Sequence, residues 1–120
     1  MRQELPTFRV LADYEVIDPH PLRVPEEAEV EALREDESWP GWVWIRYAND
    51  EGWIPVSYLG PTEGASLRRC KRAFDGTDLS ANRGEIVEAM ETESGWIRAR
   101  RQNGECGWFP LFNLKPVPRT

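Results

Sequence analysis

Histidine occurs once in the 120 residues, at His20, and cysteine twice, at Cys70 and Cys106. A single His held between Pro19 and Pro21 reads as a solvated loop residue rather than a general base. One His and two Cys without CxxC spacing fall short of the four ligands of a usual zinc site. No metal and no cofactor are therefore expected. Neither a Ser/His/Asp set, a Cys/His pair nor a Gly-rich phosphate loop is visible, which argues against an enzyme. No apolar run approaches the roughly 18 residues that span a membrane. Residues 1–6 lack the apolar segment of a secretory signal. The expectation is a cytoplasmic protein with reduced thiols and no membrane partner.

Charge is abundant but unevenly spread. The chain carries 15 Lys and Arg against 21 Asp and Glu, a net of −6. Residues 1–60 hold a net of −8 and residues 61–120 a net of +2. An acidic first half repels phosphate backbones and attracts basic partners, and it suits docking against the basic second half. Arg68, Arg69, Lys71, Arg72, Arg98, Arg100 and Arg101 form the basic set, read first as a solvated or docked face. The negative total argues against nucleic acid as a partner.

Against these absences stands an aromatic repeat. Residues 41–59 contain three Trp and two Tyr, and residues 95–114 repeat the plan. Both copies share Gly-Trp, an Asn-containing turn, Gly-Trp followed by an apolar residue and Pro, and a closing Leu. Such a repeat means two small units, each marginal alone at this size. Strands are expected at 8–12, 22–24 and 28–33, where Ala28 to Leu33 alternates apolar with acidic residues. The paired strands around Ala48–Gly52 follow, then a 3₁₀-like turn at Pro55–Tyr58. Gly60–Ala65 reads as a linker and Lys115–Thr120 as a frayed tail.

With these elements in order, each copy resembles an SH3 domain. The family runs from an ALYDY-like strand through an acidic RT loop to a Leu-Ser-x-x-x-Gly-Asp/Glu strand, which Leu79 to Val87 matches closely. A Trp-led strand, a distal turn and a Gly-aromatic-hydrophobic-Pro-x-x-Tyr element complete the family plan. Counting Val10 to Leu22 against Leu67 to Leu79 aligns the copies without a gap. The resemblance implies an all-β chain of two small SH3-like five-stranded barrels in tandem, residues 1–60 and 66–117. It further implies a non-catalytic protein-interaction module.

In that family an aromatic floor accepts the ridges of a polyproline II helix, which loses little entropy on docking. Carried over to the first copy, the floor is Tyr14, Trp42, Pro55 and Tyr58, with Ala12 where another Tyr would stand. Asp13, Glu15, Asp18, Glu35, Asp36 and Glu37 flank it and would pair with a basic residue of a Pro-containing peptide. The second copy keeps Trp96 and Pro110, has Asn113 for the Tyr, and by the gapless count has Arg69 and Lys71 at the ALYDY tyrosines. Trp44, Trp96, Arg69 and Lys71 are candidate interface residues, and Trp53 and Trp108 are candidate packing residues. The alternative is a structural or assembly protein whose aromatic faces are taken up by domain–domain or homodimer contacts.

Overall fold

The computed structural model describes residues 4–16, 20–35, 40–64 and 66–118, and Asp18, Asp36 and Glu37 lie outside them. Twelve strands are present among the described residues: β1 (Thr7–Val10), β2 (Arg23–Val24), β3 (Glu29–Glu35), β4 (Trp42–Tyr47), β5 (Asp50–Pro55) and β6 (Leu59–Thr62), then β7 (Leu67–Cys70), β8 (Phe74–Asp75), β9 (Ile86–Glu93), β10 (Trp96–Arg100), β11 (Cys106–Pro110) and β12 (Leu114–Val117). The chain is all-β, as expected. Single 3₁₀ turns at Val56–Tyr58 and Leu111–Asn113 are the helical pieces. No described helix is long and apolar enough to cross a membrane.

The strands form two five-stranded antiparallel sheets in the orders β11-β10-β9-β1-β12 and β5-β4-β3-β7-β6, with β2 paired to β8. Among the described residues no strand pairing closes either order into a barrel. The compact units also cut across the repeats. Residues 1–18 join 77–120 in one unit, here the split unit, and residues 19–76 form the other, the continuous unit. Each unit takes in the opening segment of the other repeat, β1 in the split unit and β7 with β8 in the continuous one. The boundaries 1–60 and 66–117 describe the repeat in the sequence; the units have different ones.

In the split unit, β1 sits between β9 and β12, with Phe8 opposite Val87 on one side and Pro116 on the other. Period-two burial explains its strands: Val87 and Ala89 point inward along β9, and Ile97 and Ala99 along β10. Val10, Leu79, Ala81, Val87, Ile97, Phe109 and Leu114 belong to one apolar cluster, and Phe8 and Tyr14 pack against it. In the continuous unit, β7 sits between β3 and β6 with Cys70 opposite Leu59. Leu22, Val30, Val43, Ile45, Ile54 and Phe74 are buried there.

Side-chain chemistry sorts the two exchanged strands. The β7 strand brings Arg68 and Arg69 to the acidic repeat, where Arg69 lies opposite Glu29 and 3.6 Å from Glu63. Arg69 also donates to the Glu27 carbonyl at 2.8 Å, and Arg68 to the Gly60 carbonyl at 2.7 Å. The β1 strand instead brings Phe8, which lies against the apolar cluster of the split unit. The charge asymmetry between halves is thus expressed within one sheet.

Three expectations need correction. Gly60 to Thr62 continues strand β6, and Lys115 to Val117 lies in β12, so neither the linker nor the tail is wholly irregular. Both are edge strands, where Pro61 and Pro116 are tolerated because one side needs no donor. The gapless count is also displaced. Val10 and Cys70 end their strands at the same place: Gly84 N donates to the Val10 carbonyl, as Glu27 N does to that of Cys70, each at 2.8 Å. The second excursion is therefore shorter than the first. Phe74, rather than Lys71, then matches Tyr14, and Arg72, rather than Arg69, matches Ala12.

Candidate functional site

The same local device positions the Trp of each copy. Gly41 and Gly95 have φ of 101° and 87°, a region that glycine enters without a Cβ clash. Their carbonyls accept from Val56 N at 2.8 Å and Leu111 N at 2.9 Å, the first residues after Pro55 and Pro110. Each Trp is thereby set opposite its Pro, Trp42 facing Pro55 and Trp96 facing Pro110.

The exchange redistributes the residues of the first-copy floor. Tyr14 lies in the split unit, whereas Trp42, Pro55 and Tyr58 lie in the continuous one. In the split unit, Tyr14 exchanges backbone hydrogen bonds with Ala81, 2.9 Å each way, and its ring meets Phe109 edge-on at 4.9 Å. Phe109 precedes Pro110 on β11, so Tyr14 and the Trp96–Pro110 pair are held on the same sheet of the split unit. Tyr14 and Trp96 are both half-buried. Burial, then the negative charge of Asp78, holds the Tyr14 hydroxyl above its ordinary pKa.

Acids border this group. Glu93 is the cross-strand partner of Trp96, Glu15 is exposed, and Asp13 accepts from Arg83 N at 2.7 Å. Asn113, in place of the groove Tyr, closes one end. Its side chain donates to the Ala12 carbonyl at 2.9 Å and accepts from Ala12 N at 3.1 Å. The two bonds lock the segment after β1 onto the 3₁₀ turn. Leu11 and Phe112 beside this lock are 45% and 70% exposed. The sequence reading passed over Asp78 and the Asn113–Ala12 pair. The position of Asn113 in the Pro-x-x-Tyr element was the available signal.

The corresponding aromatics of the continuous unit are shut away. Trp42 is 8% exposed, Tyr58 5%, and Pro55 below 2%. Tyr58 meets Phe74 at 5.1 Å, and the Arg72 guanidinium lies 3.9 Å above the Tyr58 ring. That cation–π contact covers one face of the ring. Trp42 was expected to be open; instead it is buried. Glu35 is exposed at the end of β3, and Lys71 is exposed with its N–H bonded to the Tyr58 carbonyl at 2.7 Å.

Trp44 is half-buried on the outer face of the same sheet. It meets Trp53 at 5.1 Å, has Arg34 over it at 5.0 Å, and donates its indole N–H to Glu51 at 2.7 Å. Arg46 holds the other Glu51 oxygen at 2.9 Å. The Trp44 hydrogen bond, then that of Arg46, keeps the Glu51 carboxyl below the usual carboxylate range. Trp108 is a packing residue at 2% exposure, whereas Trp53 is only half-buried. The basic set is largely engaged within the units. Arg100 lies 2.8 Å from Glu88 and Arg101 2.9 Å from Glu85. Both thiols are free, and burial pushes that of Cys70 up. No cluster of metal-ligating side chains is present among the described residues.

No family model matches the chain. It is similar to SH3 and PX domain-containing protein 2B of Mus musculus, 27% identical over 126 aligned positions that cover 92% of this chain and 14% of the relative. The human protein of the same name is 26% identical over the same shares. SH3 and PX domain-containing protein 2A of Danio rerio is 43% identical over 54 residues, 45% of this chain and 5% of the relative. The chain thus spans a small fraction of the curated relatives it matches. The chain is thus similar to short stretches of proteins named for SH3 and PX domains, and both of its units are all-β.

Proposed function

We propose that the chain is a non-catalytic interaction module that receives an extended, Pro-containing, basic segment on the split unit. Tyr14 from the first repeat and Trp96 from the second would form the floor, with the buried Pro110 behind Trp96. Asp13, Glu15, Asp78 and Glu93 would hold the basic residue and set the direction of the peptide. The observation that carries this reading is the contrast in exposure. Tyr14 and Trp96 are partly open, while Trp42 and Tyr58 are buried; Pro55 and Pro110 are buried alike. Ring faces accept a preformed polyproline II ridge at low entropic cost. A floor of this size supports affinities on the order of micromolar.

For the continuous unit the second reading is favoured. The burial of Trp42 and the seat of Arg72 on Tyr58 fit a structural role for that aromatic set. Calorimetric titration with a Pro-containing, Arg-bearing peptide separates the two. Tyr14→Ala and Trp96→Ala should each weaken binding by about tenfold or more. Trp42→Ala should lower stability with affinity kept. Loss of binding in Trp42→Ala with none in Trp96→Ala would overturn the assignment.

A further inference from the structure

The strand that completes the split unit reaches it by an indirect route. After β1 and Tyr14 the chain leaves the split unit, forms the whole continuous unit over residues 19–76, and returns at 77. The seat of β1 is nevertheless specific. Thr7 to Val10 pairs with β12 on one side, and Thr7 to Arg9 pairs with β9 on the other. Val10 is 1% exposed, and Leu11 N donates to the Asn113 carbonyl at 2.9 Å. None of these contacts requires that β1 belong to the same molecule. The seat is also selective. A strand with Arg68 at the place of Phe8 would bring a charge to the apolar cluster, so β7 is a poor substitute.

We propose that two copies of this chain exchange β1 reciprocally, each seating its β1 between β9 and β12 of the other. Every hydrogen bond and apolar contact of the seat is then remade. The balance between monomer and dimer is set mainly by the effective concentration of β1 within its own chain, against which the chain concentration competes. Tyr14 travels with β1, so in the dimer each aromatic floor combines Tyr14 of one copy with Trp96 of the other. The exchange is independent of the peptide-binding reading, because it rests on strand pairing alone.

The test uses the full chain with Cys106→Ser and the exposed register pair Arg9→Cys/Lys115→Cys, refolded at about 1 μM and at about 1 mM chain. At the lower concentration a 13.9 kDa monomer with an intrachain bond is expected. At the higher, a species of twice that mass is expected to run as a covalent dimer on a non-reducing denaturing gel. If this pair does not fold, the neighbouring pair Thr7→Cys/Val117→Cys reads the same strands. Absence of a dimer at millimolar chain overturns the proposal. So does a dimer whose bond lies within one chain, since its copies then meet by surface contact. Failure of both pairs to oxidise in any species overturns it as well.

Discussion

Truncation of Val10 reads out which repeat its strand serves. Val10 is 1% exposed and belongs to the apolar cluster of the split unit, with Val87, Ile97 and Phe109. Val10→Ala removes two methyl groups, about 1.6 kcal/mol at roughly 0.8 kcal/mol each. A cavity term adds to this where neighbours relax only in part, giving about 2–3 kcal/mol. Native-state hydrogen exchange followed by NMR resolves where that loss falls. Amides of Val87, Ile97 and Phe109 should exchange about 30- to 150-fold faster, since 1.36 kcal/mol is a factor of ten. Those of Val30, Ile45 and Ile54 in the continuous unit should change less. A larger loss at the latter three would place β1 in its own repeat and refute the exchange.

Two other perturbations follow from local geometry. A Cβ on Gly107 would lie 2.8 Å from Asp78 C and Leu79 N, both backbone atoms, whereas one on Gly52 would meet a Leu22 side-chain carbon at 3.1 Å. Gly107→Ala should therefore cost about 2–3 kcal/mol and Gly52→Ala about 1 in urea unfolding, and the reverse order would contradict the packing described. Glu51 has a depressed pKa, so the interactions that lower it are present above the unfolded value and are lost as pH falls through the folded one. The Trp44 indole signal should accordingly titrate with a midpoint below pH 4.5, and Glu51→Gln should abolish the step. A midpoint at or above that pH would show that the carboxylate does not hold the indole.

Local chemistry made much of the fold legible. The repeat of Gly-Trp and Pro marked both strand pairs, and the alternation from Ala28 to Leu33 marked Val30 as inward-facing. The identity of the strand partners was not legible. β1 and β7 end in equivalent places, and period-two patterning says which face is buried but not which sheet receives it. The excursions differ in length, and a count between Val10 and Leu67 hid this; the last buried residues, Val10 and Cys70, are the true equivalents. Pro61 and Pro116 looked like breakers, because edge position is a property of the sheet and not of the residue. The candidate site was half legible. Tyr14, Trp96 and Pro110 were each singled out, but in different copies, and only the pairing of β1 with β9 and β12 brings them into one unit. The burial of Trp42 and the Arg72 contact depend on long-range packing that a linear motif does not encode.

The most direct measurement is a nitrogen-15 NMR titration of the six Trp indole signals with a Pro-containing, Arg-bearing peptide. The account predicts that the Trp96 indole shifts with peptide, that Tyr14→Ala abolishes the shift, and that the Trp42 indole stays in place. A shift of Trp42 with Trp96 unmoved would contradict it.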